Sequence, residues 1–95
     1  MVSDEVLRRI ADQLPRWAVE GEELVAAWRF DDFGGALAAA VAVGMIAERA
    51  NHHPDLVVGW GRLVVRLTTH DAGGITSLDV DLAQAIQDRL GAPSR

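Results

Sequence analysis

Leu56-Val57-Val58-Gly59-Trp60-Gly61-Arg62-Leu63-Val64-Val65-Arg66-Leu67-Thr68-Thr69 decides the architecture of this chain. Two runs rich in β-branched residues, 56–58 and 63–69, flank Gly59-Trp60-Gly61, which supplies the glycines a tight reversal needs. The segment therefore reads as a β-hairpin, and strands joined by so short a turn run antiparallel. In the second run Leu63, Val65 and Leu67 fall on one face, while Arg66, Thr68 and then His70 fall on the other. The first set suits a core and the second points away from it.

Working outward, residues 17–19 and 23–30 flank a short turn containing Gly21, and in the latter run Leu24, Ala26, Trp28 and Phe30 alternate with Val25, Ala27 and Arg29. This is a second hairpin. Between the hairpins, Asp32 precedes an alanine-rich run, 33–47, that carries no charge and ends in Glu48 and Arg49. It reads as a helix, too short for a comfortable membrane span of about 20 residues. Because it is apolar on more than one face, it is expected to pack on its own sheet and on a neighbouring subunit.

Ser3 can cap a first helix with Asp4 and Glu5 in its opening turn and Leu7, Ile10 and Leu14 at helical spacing, up to Pro15. Thr76-Ser77-Leu78-Asp79 resembles a capping box, and Leu78, Leu82, Ile86 and Leu90 recur every four residues before Gly91 and Pro93. The order is αββαββα. The expected fold class is α+β, one domain over residues 1–95, with a four-stranded antiparallel sheet and its helices packed on one face.

The 95 residues allow a single core, small enough that subunit association would help to bury apolar surface. A homodimer or homotetramer is the expectation. The net charge of −5 and the absence of any basic cluster argue against direct nucleic-acid binding. The chain has no cysteine, hence no disulfide, iron–sulfur cluster or thiol nucleophile, and its start, Met1-Val2-Ser3-Asp4-Glu5, is acidic where a signal peptide would be basic. A cytoplasmic location, with no membrane partner, is expected.

All three histidines, His52, His53 and His70, belong to one constellation. If the 56–69 hairpin reverses near Gly61, His52 lies level with His70 across it, within a residue or two. Glu48 stands one helical turn before His52, where a carboxylate can orient an imidazole, and Pro54 makes His53 favour an extended conformation. Imidazoles give and take protons near neutral pH, so their convergence suggests acid/base chemistry. Two other readings stand beside it. His52 and His53 would interact with the C-terminal dipole of the long helix while His70 ends a surface strand, or the three rings would hold zinc. Adjacent histidines seldom ligate one ion together, and no cysteine or flanking carboxylate pattern supports a metal.

Glu48-x-x-x-His52-His53-Pro54, Trp60, His70 and Asp79, in that order, resemble the pterin-4a-carbinolamine dehydratases. Trp17, Trp28-Arg29-Phe30-Asp31-Asp32-Phe33 and Asp79-Val80-Asp81-Leu82-Ala83 extend the likeness from the first helix to the last. The resemblance implies a lyase that needs no cofactor. It would remove water from 4a-hydroxytetrahydropterin to give quinonoid dihydropterin, with His52 and His70 as the acid/base pair. It further implies that His53 holds the pterin, that Trp60 contributes to substrate binding, and that Glu48 and Asp79 are supporting carboxylates. Asp79 equally suits a helix-capping role. Leu56 stands where many relatives carry an aromatic, and Asn51 where an acidic residue is frequent. Other proteins of this fold act as dimerisation or assembly partners, which is the alternative to catalysis; a binding module has no need of three imidazoles in register.

Overall fold

Local chemistry fixes the start of each helix in the computed structural model, which describes residues 2–94. Ser3 accepts the Val6 N–H at 3.1 Å and opens α1 (Asp4–Gln13), with Asp4 and Glu5 against the positive end of the helix dipole. Asp32 accepts the Gly35 N–H at 2.8 Å and opens α2 (Phe33–Ala50). Thr76 and Asp79 form the reciprocal capping box of α3 (Ser77–Leu90).

Four strands, β1 (Ala18–Glu20), β2 (Glu23–Arg29), β3 (Asp55–Gly59) and β4 (Arg62–Leu67), make one sheet in the order β1-β2-β4-β3. Every neighbouring pair is antiparallel, so the chain has the expected α+β order αββαββα. Leu24, Ala26 and Trp28 on β2 and Leu63, Val65 and Leu67 on β4 turn to the helices and share one core with Val43 and Ala47 of α2 and Val80, Ala83 and Ile86 of α3. Fully buried side chains such as Leu63 and Ile86 each contribute roughly 1.5–3 kcal/mol by leaving water. Trp17 and Trp28 meet edge to face at 5.6 Å, and their indole N–H groups are satisfied by Gln87 at 3.1 Å and the Gly91 carbonyl at 3.0 Å.

Several boundaries differ from expectation. β1 begins one residue later than position 17, because Trp17 is drawn into the core. β4 stops at Leu67 rather than 69, and His70–Ala72 instead form a single 3₁₀ turn. The β3–β4 register pairs Asp55 with Arg66 and Gly59 with Arg62, one residue off the expected pairing. Extended past the strands, that register sets Thr69, rather than His70, level with His52. The turn needs its glycine: Gly61 has φ +67°, and a Cβ there would lie 2.9 Å from the Phe30 carbonyl oxygen.

α2 reaches Ala50 and packs on β3, β4 and α3, although by length and composition alone it would suit a membrane span. Its sheet side carries small residues, Ala36, Ala39, Ala40, Val43 and Ala47, all buried. Its opposite side exposes Phe33, Leu37, Val41 and Met45 at four-residue spacing, each about half exposed. The outer edge of β2 beyond β1 is occupied by the C-terminal segment, where Ser94 N–H donates to Ala27 O at 2.8 Å and Ser94 Oγ accepts the Arg29 N–H at 3.1 Å. That edge is thereby closed to further strands.

Candidate active site

The end of α2 separates two adjacent imidazoles. Asn51 adopts the left-handed region (φ 52°), which asparagine tolerates better than most residues, and its N–H reaches Ala47 O and Glu48 O. The His52 N–H then also bonds to Ala47 O at 3.2 Å, so the chain wraps back under the helix. His52 is thrown inward, with its side chain 15% exposed, and His53 outward, 58% exposed. Asn51 thus supplies the conformation that parts the two rings.

His52 Nε2 lies 2.6 Å from Asp79 Oδ1. Asp79, in the first turn of α3, is fully buried, and its other oxygen accepts the Thr69 hydroxyl at 2.7 Å and the Thr76 N–H at 2.8 Å. A buried carboxylate is tolerable when donors surround it, and three do here. One side chain therefore both closes the helix cap and bonds to His52. Against an ionised carboxylate, which only accepts, a neutral imidazole donates from Nε2 and keeps its lone pair on Nδ1.

Glu48 is placed differently from expectation. Its Oε1 lies 3.0 Å from Nε2 of His53, not beside His52, because the left-handed residue between them rotates His52 off the outer face of the helix. Both members of this pair are largely exposed, so it holds a ring in place weakly. His52 and His53 each have their own carboxylate, and the buried one lies against His52.

His70 opens the 3₁₀ turn and is exposed. Together with Asn51, His52, His53, Thr68, Thr69, Asp71 and Leu78 it lines a single cleft of about 360 Å³. All three histidines therefore meet, although His70 arrives by a turn and not along a strand. Trp60 does not join them within the chain: it sits 75% exposed at the tip of the β3–β4 hairpin, the full length of β3 away from His53. Leu56 is half buried against the core and does not line the cleft. Among the described residues, no group of three or more histidine, cysteine or acidic side chains is arranged to hold a metal.

Two lining residues escape a reading by motif. Leu78, expected in the α3 core stripe, is 52% exposed and forms an apolar wall of the cleft, while Val80 fills the core in its place. Thr69 touches the buried carboxylate; its only signal was its place in the alternation, level with Leu63, Val65 and Leu67. On the opposite face of the sheet, Arg66 is engaged by Glu23 at 3.1 Å and Glu20 at 3.3 Å. The hydrogen bond to Glu23, opposed by desolvation and reinforced by Glu20, holds its guanidinium above the ordinary arginine range.

The chain matches the sequence model of the pterin 4 alpha carbinolamine dehydratase family over residues 1–89. It is 45% identical over 80 residues to a Natronomonas pharaonis protein provisionally named a pterin-4-alpha-carbinolamine dehydratase, covering 83% of this chain and 87% of that one. The crystal structure of a transcriptional coactivator/pterin dehydratase from Brucella melitensis superposes with a TM-score of 0.84 at 25% identity, over 94% of this chain and 97% of that one. A pterin dehydratase-like protein identified as a RuBisCO assembly factor in the alpha-carboxysome shares the fold, with a TM-score of 0.64 at 17% identity over 81% of this chain and 89% of that one. The family match takes in every element that builds the histidine cleft, and the chain belongs to the pterin 4 alpha carbinolamine dehydratase family.

Proposed function

We propose that this protein is a hydro-lyase that converts 4a-hydroxytetrahydropterin to quinonoid dihydropterin and water. The observation that carries this reading is the cleft in which His52, backed by a buried carboxylate, faces the same space as His53 and His70. In the reaction the C4a–O bond breaks as an acid protonates the departing hydroxyl. The N5 lone pair forms the C4a=N5 bond, and a base removes the N5 proton. One proton is delivered and one removed, so a pair of imidazoles suffices. His52 takes and gives its proton at Nδ1, while Asp79 stabilises the imidazolium form through Nε2–H. His70 is its acid/base counterpart, and His53, held by Glu48, binds the pterin. Leu78 offers an apolar surface to the ring.

The test is a direct assay on 4a-hydroxytetrahydropterin generated enzymatically, run with and without prior treatment by a strong chelator. Decay of substrate accelerated over the spontaneous rate, and unchanged after chelation, is the expected result. A rate equal to the uncatalysed one sinks the reading, and chelation loss restored by zinc sinks the acid/base assignment.

The exposed α2 stripe Phe33, Leu37, Val41 and Met45 supports self-association, since a chain this small gains by covering a continuous apolar face. Size exclusion with light scattering is expected to give a dimer or tetramer, against which a clean monomer at micromolar concentration would count. The same stripe favours a second reading, in which the fold serves as an assembly partner of another protein, as the RuBisCO assembly factor of this fold does. Full dehydratase activity alongside a self-associated state decides for catalysis.

A further inference from the structure

Thr69 occupies the residue before the 3₁₀ turn, where a threonine hydroxyl ordinarily caps the turn it precedes. It makes no such bond. Its Oγ1 instead crosses to α3, 2.7 Å from Asp79 Oδ2 and 2.8 Å from Thr76 Oγ1. The strand alternation explains the reach: Thr69 continues the inward face of Leu63, Val65 and Leu67.

The direction of every proton in this cluster follows from counting donors. A hydroxyl has one hydrogen, and the Asp79 carboxylate has none, so Thr69 gives its hydrogen to Asp79 and accepts that of Thr76. Thr76 Oγ1 in turn accepts the Leu78 N–H at 3.2 Å. The result is a one-way chain, Leu78 N–H to Thr76, Thr76 to Thr69 and Thr69 to Asp79 Oδ2, in which each bond polarises the next. The remaining oxygen, Oδ1, faces His52.

We propose that Thr69 is a positioning residue for the acid/base site: its hydroxyl locks the Asp79 carboxylate in the orientation that holds His52 in the Nε2–H tautomer, with Nδ1 presented to the cleft. Thr69 also precedes His70 directly, and its backbone ties that turn down through Thr69 N–H to Gly74 O at 3.0 Å and Ala72 N–H to Thr69 O at 3.0 Å. One residue thereby sets the geometry of His52 through its side chain and anchors the origin of His70 through its backbone. The kinetic part of this proposal rests on the dehydratase reading, but the tautomer part does not.

The experiment compares wild type with Thr69→Val, which keeps the β-branched shape and removes the hydroxyl, and Thr69→Ser, which keeps the hydroxyl. Ring nitrogen shifts of His52 are read by ¹⁵N NMR at alkaline pH, where imidazole is neutral; with three histidines, assignment by single substitution is direct. Wild type and Thr69→Ser are expected to show His52 protonated at Nε2, and Thr69→Val a mixture of tautomers. In the dehydratase assay Thr69→Val is expected to lose about 10-fold in kcat with KM within about two-fold, and Thr69→Ser to recover most of the loss. A purely structural threonine would lower the melting temperature of Thr69→Val while leaving the tautomer and kcat as in wild type, which overturns the proposal. Should Thr69→Val fail to fold, the wild-type spectrum still decides, because His52 protonated at Nδ1 with a bare Nε2 overturns the proposal by itself. An inactive wild type with the expected Nε2–H tautomer and its loss in Thr69→Val would refute the dehydratase reading and leave the positioning role intact.

Discussion

His52→Ala and His70→Ala are each expected to lower the dehydration rate by about 10²-fold, the usual scale for losing a positioned acid or base. The two losses arise differently. His52 is inward-facing and fixed by a 2.6 Å bond to Asp79, so its removal takes away both the proton carrier and a hydrogen-bond partner of a buried carboxylate. His52→Ala is therefore also expected to lower the melting temperature. His70 is exposed at the start of a turn, so His70→Ala is expected to lose rate with little change in stability. His53→Ala, which removes an outward ring held only by exposed Glu48, is expected to raise KM more than it lowers kcat. Steady-state kinetics with thermal melts on the three variants check this, and rates within a few-fold of wild type for both His52 and His70 variants would return the histidines to a structural role.

The elements that the sequence made legible are those whose information is local. Ser3, Asp32 and Thr76 announce helix starts because a side-chain oxygen three residues ahead of an orphan N–H is a short-range fact. The hairpin around Gly61 is legible for the same reason, and with it the approach of His52 and His70. What was not legible depends on how elements meet. Residues 56–58 are all apolar, so alternation does not fix their pairing, and a shift of one residue exchanges His70 for Thr69 as the residue that the extended register sets level with His52. The left-handed Asn51 is likewise a tertiary choice, and it moves Glu48 from His52 to His53. Leu78 obeys the four-residue spacing of a core stripe but falls in the first turn of α3 and opens on the cleft. Trp60, placed in the site by motif alone, lies at the far tip of the hairpin because β3 runs directly away from the histidines.

Asp79→Asn is expected to keep the fold and lose about 10²-fold or more in kcat, through the tautomer rather than through the charge alone. The substituted amide has one acceptor oxygen and one NH₂ group. At the Oδ2 position two donors arrive, the Thr69 hydroxyl and the Thr76 N–H that closes the capping box, whereas only His52 arrives at Oδ1. The amide carbonyl of the variant satisfies more donors by facing Thr69 and Thr76, which turns its NH₂ toward His52. Two donors cannot share that bond, so His52 is driven to accept at Nε2 and to carry its hydrogen on Nδ1, the nitrogen proposed to serve the substrate. A ring in that tautomer has no lone pair to offer the substrate, and exchanging the tautomer of a catalytic histidine costs orders of magnitude where it has been measured in serine proteases. Stability is expected to fall by only about 1 kcal/mol, because the helix cap survives. Asp79→Ala, which orphans all three donors, is expected to cost about 3 kcal/mol, or more than about 10 °C in Tm for a domain of this size, as well as activity. Kinetics and calorimetry on the two variants separate these effects: an Asp79→Asn protein with wild-type kcat would show that the carboxylate serves the helix cap and not His52.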